Sequence, residues 1–228
     1  MPSKPTILAF DTSAAHCAAA LLSGGRIAAV RYEEMAKGQA ERLVPLLQQT
    51  MEDAGADWAE LDAIAVGVGP GNFTGVRISV ATARGLALSL GIPAIGISAF
   101  DLLHNGTGRP DGIVQIPALR GSSYWQAYAK GQAVGAPSHG SDPQMLPSDG
   151  QAIIGPDADD LAVRWSNGAP QLFKTVTATL SWPTALEDLA HLAATRLALS
   201  NDHPAPAPVY VRPAEAAPPR DAPPVIVS

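Results

Sequence analysis

The stretch Gly67-Val68-Gly69-Pro70-Gly71-Asn72-Phe73-Thr74-Gly75-Val76-Arg77 constrains this chain more than any other. It follows an apolar run, Ala63-Ile64-Ala65-Val66, and precedes a long Ala/Gly/Leu segment. Strand, glycine-rich turn and helix, in that order, present backbone N–H groups to a ligand or a neighbouring segment. The string is not a standard nucleotide motif. A P-loop carries Lys and Ser/Thr after its last glycine, whereas Val76 follows Gly75. A dinucleotide fingerprint reads G-x-G-x-x-G, and Gly69, Gly71 and Gly75 are spaced one residue too far. Two readings stay open: a tight turn whose glycines serve backbone geometry, or an anion site assisted by Arg77, one turn into the helix.

The segments around this turn read in a definite order. Residues 6–10 form an apolar strand ending in Asp11-Thr12-Ser13, residues 17–22 a second strand, and residues 26–33 a third. Their short turns predict an antiparallel meander. Residues 39–54 carry Leu43, Leu47 and Met51 at i, i+4, i+8, with Val44 and Leu46 widening the stripe, and predict a helix. A buried strand over 61–68 precedes a helix over 75–90, with Thr74 as its expected N-cap. A strand at 93–97 and a short helix capped by Ser98 follow. The turn-rich Asn105–Asp111 marks a lobe boundary. Beyond it, 112–118 and 123–130 read as a strand pair, 134–150 as a loop, 151–154 as a strand and 184–200 as a helix. The fold class is therefore α/β: mixed sheets flanked by helices, with a reduced second lobe. The expected organisation is a first lobe over 1–104, a smaller second lobe over 105–213 and a Pro/Ala-rich tail over 214–228.

Composition narrows the function classes. A formal charge of −6 argues against a dedicated nucleic-acid surface, which is normally basic. The single cysteine, Cys17, permits no intrachain disulfide and reads as a small buried apolar residue. No two of the five histidines fall at i, i+4, and no H-E-x-x-H occurs, which disfavours a metalloprotease. No secretory leader and no membrane-spanning run is legible, so a cytoplasmic chain is expected. Asp11-Thr12-Ser13 offers a carboxylate and two hydroxyls at a strand end. Such a group either holds Mg²⁺ with a nucleotide or closes a hairpin by local hydrogen bonds.

The pattern resembles the TsaB (YeaZ) family. The residues that carry the resemblance are Ile7-Leu8-Ala9-Phe10-Asp11-Thr12-Ser13, Glu41-Arg42-Leu43-Val44-Pro45-Leu46, Gly69-Pro70-Gly71-Asn72-Phe73-Thr74-Gly75-Val76-Arg77-Ile78 and Gly85-Leu86-Ala87. Pro208-Val209-Tyr210-Val211-Arg212 resembles the family's late P-x-Y-L-R segment. The resemblance covers the first hundred residues closely and the remainder loosely. It implies an actin-like (ASKHA) two-lobe fold. It also implies an accessory, non-catalytic role in bacterial threonylcarbamoyladenosine formation on the tRNA adenosine beside the anticodon. In that family the chain pairs with the catalytic subunit TsaD through its first-lobe helices, the ATPase TsaE joins them, and homodimers form through the same helices. Transfer to this sequence makes Leu43, Leu47, Met51, Arg77, Ala81 and Gly85 the expected partner interface. Asp11, Thr12, Ser13, Gly69, Gly71 and Thr74 become a nucleotide or partner loop.

The same resemblance implies no metal and no cofactor bound by this chain alone, with ATP/ADP and metal held by partner subunits and tRNA met only indirectly. Two departures stand out. Gln39 stands where many relatives carry His, and Pro117-Ala118-Leu119-Arg120 replaces an Asp-Ala-Arg-Arg-like string. The alternative is an ATP-dependent phosphotransferase of the same fold, with Asp11, Thr12 and the glycine-rich turn handling Mg²⁺-nucleotide.

Overall fold

The computed structural model describes residues 4–144, 146–166 and 170–211. The expected tail over 214–228 lies outside the described residues. Strands β1 (Ile7–Asp11), β2 (His16–Ser23) and β3 (Arg26–Glu34) form the meander. Helix α1 (Gln39–Asp53), strand β4 (Ala63–Gly67), helix α2 (Phe73–Leu90), strand β5 (Ala94–Ile97) and helix α3 (Ala99–Gly106) follow. The first sheet has the order β3-β2-β1-β4-β5. β1 runs antiparallel to β2 and parallel to β4, so the sheet is mixed.

The second sheet repeats this arrangement. β6 (Gly112–Pro117), β7 (Ser123–Ala129) and β8 (Gln132–Gly140) are an antiparallel meander, and β9 (Ala152–Gly155) pairs parallel with β6. Helix α4 (Ala158–Trp165) leads to β10 (Lys174–Thr177), at the edge beside β9. Read from β8, the order β8-β7-β6-β9-β10 matches the first sheet strand for strand. Among the described residues α1 has no counterpart, since none of those between β8 and β9 is helical. Two mixed sheets of one topology, each flanked by helices, are the actin-like fold.

Alternation along the strands decides which helix covers which face. On β1, Leu8 and Phe10 join Leu43, Leu46, Leu47 and Met51 of α1 and Val76, Val80 and Ala83 of α2 in one core. Ile7 and Ala9 face the opposite way, against Ala185, Leu189, Ala190 and Ala193 of α5 (Thr184–Leu199). The many alanines bring α5 down onto the sheet. This corrects the expected domain division, which assigned the 184–200 helix to the second lobe. Its apolar stripe is matched in size by Ala9, Ala63 and Ala65 of the first sheet, and there it packs.

Two other expectations change. Residues 134–150 are not all loop, because β8 occupies Gln132–Gly140. Its residues are exposed or half-buried, as an edge strand permits, and its mix of small residues, Gly and Pro carries no apolar alternation to announce it. The N-cap of α2 is Asn72, whose side chain accepts from the N–H of Thr74 and of Gly75, both at 3.0 Å. Thr74 lies inside the helix. Cys17 is buried, and burial, followed by the nearby Glu33 charge, pushes its thiol up to about 11, which makes it inert at neutral pH.

One polar latch joins the two sheets. Asp101 on α3 accepts from the Tyr128 hydroxyl on β7 at 2.8 Å and pairs with Arg196 on α5 at 2.9 Å. Arg196 also donates to the Gly96 carbonyl at 2.8 Å, and His104 stacks on Tyr128 with ring centroids 3.8 Å apart. Burial opposes the Asp101 charge, but Arg196, Tyr128 and Ser98 outweigh it and hold the carboxyl below its ordinary value. Burial is the largest influence on His104 and lowers its pKa. A depressed histidine pKa means that the unfolded chain takes up a proton before the folded one does. Stability therefore falls as pH drops below about 6.5, and the Asp101 contribution is lost only below about 4. Urea titrations between pH 7 and 5 should show this slope, and His104→Asn should flatten it. An unchanged slope in the variant would remove His104 from the account.

Candidate functional site

The glycine-rich turn and the β1–β2 turn meet backbone to backbone. The Asn72 N–H donates to the Ser13 carbonyl at 2.6 Å, and Thr12 Oγ1 donates to the Gly75 carbonyl at 2.6 Å. A Cβ on Gly75 would overlap the Thr12 carbonyl oxygen, and one on Gly71 would overlap that of Ser13. Glycine is required at both positions by this approach. Gly69 sits at φ +84°, and its carbonyl accepts from the Ala99 N–H at 2.8 Å, which ties the turn to the start of α3.

Asp11, Thr12, Ser13, Gly69, Gly71 and Thr74 are thus brought together, as the sequence suggested. Asp11 Oδ1 and the Thr12 and Ser13 hydroxyls are engaged inside the junction. Asp11 Oδ1 accepts from Ser13 N–H and Ser13 Oγ, both at 2.7 Å, and His16 Nε2 lies 2.9 Å from the same oxygen. Asp11 Oδ2 lies against the Cα of Gly67, where a Cβ would overlap it. His16 is itself enclosed by the rings of Tyr32 and Trp182, at 5.5 and 4.6 Å. The junction aims α2 and engages Asp11 Oδ1.

The six expected interface residues divide. Leu43, Leu47 and Met51 are buried in the core beneath α1 and are not available to a partner. This is a correction with a simple cause. α1 has one apolar stripe, and the sheet claims it. Arg77, Ala81 and Gly85 stand on the exposed side of α2, opposite the buried Val76, Val80, Ala83 and Ala87. Leu88 extends that outer side at 86 % exposure, and Phe73 begins it at 43 %. On α1 the exposed side brings Val44, half exposed, and Pro45. The two helices pack against each other, so these residues lie on adjoining helices.

Sequence reasoning missed Val44, Phe73, Leu88 and Tyr210. Leu88 was legible, since Arg77, Ala81, Gly85 and Leu88 step along one helical face at i, i+4, i+8, i+11. Tyr210 was not, because it arrives from far along the chain. The Val209 N–H donates to the Val68 carbonyl at 2.8 Å, and Arg77 Nε donates to the Tyr210 hydroxyl at 2.8 Å. The Arg77 guanidinium also lies 3.6 Å from the centre of the Phe73 ring.

Core and surface roles separate experimentally. Gly75→Ala should destabilise by about 3 kcal/mol through overpacking, and Leu47→Ala by about 2–5 kcal/mol through cavity formation. Ala81→Glu should change stability by no more than about 0.5 kcal/mol. Chemical unfolding curves measure all three. A tolerant Gly75→Ala would contradict the junction.

Residues 29–135 match the family described as "TsaD: tRNA N6-adenosine threonylcarbamoyltransferase". The tRNA threonylcarbamoyladenosine biosynthesis protein TsaB of Escherichia coli (strain K12) is 35 % identical over 128 residues, 54 % of this chain and 55 % of that protein. In that alignment the chain spans about half the length of its curated relative. The solved structure of YeaZ from Pseudomonas aeruginosa is 30 % identical, with a TM-score of 0.61, covering 84 % of this chain and 93 % of that one. A second structure, titled as an uncharacterized protein with similarity to peptidase YEAZ from Pseudomonas aeruginosa, is 30 % identical with a TM-score of 0.68. It covers 91 % of this chain and 100 % of that one.

Proposed function

The chain belongs to the TsaB/YeaZ family, and from that membership we propose that it is a non-catalytic subunit in threonylcarbamoyladenosine formation on tRNA. Its work is to pair with a TsaD-type catalytic subunit through the outer side of α1 and α2. A TsaE-type ATPase joins the pair in the cytoplasm, and ATP/ADP and metal stay with the partners. tRNA is met only through the complex.

One observation carries this reading. α2 is buried on one side yet offers Ala81, Gly85 and Leu88 on the other, and Val44 and Pro45 are exposed on the adjoining α1. Small residues let a second helix approach closely, and the exposed apolar groups supply the burial that drives association. Binding favours the catalytic subunit's competent state by differential affinity. In the absence of the catalytic subunit, the same surface suits a second copy of the chain.

The phosphotransferase alternative asks Asp11 to hold a Mg²⁺-nucleotide. Its Oδ1 is already met by Ser13 and His16, which weighs against that role.

Ala81→Glu and Leu88→Asp should each weaken binding to the TsaD-type subunit at least about 10-fold, that is, by about 1.4 kcal/mol, with unchanged melting temperature. Calorimetric titration of one purified subunit into the other measures it. Wild-type affinity in both variants would remove this surface from the interface.

A further inference from the structure

We infer that a second, separate site on this chain binds a small phosphate-bearing molecule, in the cavity between α3, the β7–β8 turn and α5. The cavity is about 530 Å³, within the range of small-ligand sites. It lies apart from the outer side of α1 and α2 and shares none of its residues.

The charge around it is unlike the rest of the molecule. The chain carries a formal charge of −6, yet Arg109, Lys130 and Arg196 all line this one cavity. The nearby carboxylates are already engaged. Asp101 is held by Tyr128 and Arg196, and Asp111 accepts from the Lys130 backbone N–H at 2.7 Å. The cations are not all spent. The Lys130 ammonium has no partner among the described contacts. Arg109 directs Nε and Nη2 at Asn105 Oδ1 and leaves Nη1 unengaged among them. The surplus is therefore of donors, which a group with several anionic oxygens would satisfy.

The backbone delivers these two side chains at some cost. Lys130 and Gly131 are the two central residues of the β7–β8 hairpin, with φ +53° and +75°. Turns with two such residues favour Asn, Asp or Gly at the first, so turn geometry does not account for a lysine there. Arg109 has φ +58°. Three non-glycine residues have positive φ among the described residues, and two of them line this cavity. Beneath them the Asp101–Tyr128–Arg196 latch and the stacked His104 make a fixed floor. Leu192 and Leu199 of α5 add an apolar wall. The phosphate then lies on Lys130 and Arg109, and an organic body rests on that wall.

Calorimetry on the full-length chain tests this with phenyl phosphate and with inorganic phosphate. Phenyl phosphate should bind at least fivefold more tightly than inorganic phosphate. Lys130→Ala and Arg109→Ala should each weaken it at least 10-fold, Lys130→Arg should largely preserve it, and Lys174→Ala, on the distant β10, should leave it unchanged. Circular dichroism should show all four variants folded, since the altered side chains are exposed. Three results would each overturn the inference: no binding at millimolar ligand, wild-type affinity in Lys130→Ala and Arg109→Ala, or an equal loss in Lys174→Ala. Equal affinity for both ligands would overturn the apolar wall's role. Because the cavity is separate from the partner surface, failure here leaves subunit pairing untouched, and failure of pairing leaves this site untouched.

Discussion

The contact on which the rest depends is the one between the β1–β2 turn and the start of α2. Two chain segments approach until carbonyl oxygens of Thr12 and Ser13 occupy the space that side chains at Gly75 and Gly71 would need. The hydrogen bonds from Asn72 and Thr12 close the gap. This junction fixes where α2 begins, how it lies on the sheet, and therefore which of its residues point outward. It also engages Asp11 Oδ1 and the hydroxyls of Thr12 and Ser13. Structural demand and an apparent active-site motif are here the same set of residues.

A helix aimed in this way can serve two surfaces. Val76, Val80, Ala83 and Ala87 meet the core, while Ala81, Gly85 and Leu88 remain outside. Small side chains on the outer side give little stability to the isolated chain, since they touch little. In the proposed pairing they let the backbone of a second helix come close. Arg77, held between Phe73 and Tyr210, anchors the end of that surface and fastens the chain's late segment to it. α5 supports the same sheet from behind, and its Arg196 reaches Asp101, so the second sheet is tied to the first.

Much of the first sheet was legible, because β1, β2, β4 and β5 are apolar at nearly every position and glycines mark the β2–β3 turn and the turn into α2. α1 and α5 were legible from their 3.6-residue periodicity. The orientation of α1 was the instructive error. Leu43, Leu47 and Met51 form a clean stripe, and a stripe says only that a helix buries one side, not against what. Here the burial is internal. β8 and β10 were missed because edge strands need no apolar alternation. α4 was missed because its eight residues, with Asp159 and Asp160 in the first turn, are too few to carry a repeating apolar stripe. The glycine-rich turn was legible as an element but not as a function. Only the distances show that Gly71 and Gly75 accommodate a neighbouring backbone.

The central claim is that this chain assists catalysis without performing it. The most direct measurement is threonylcarbamoyl transfer to tRNA by purified TsaD-type and TsaE-type subunits, supplied with activated threonylcarbamoyl donor, with and without this chain. The account predicts product only when the chain is present, and none from the chain alone. Equal product without it, or transfer by the isolated chain, would contradict the account.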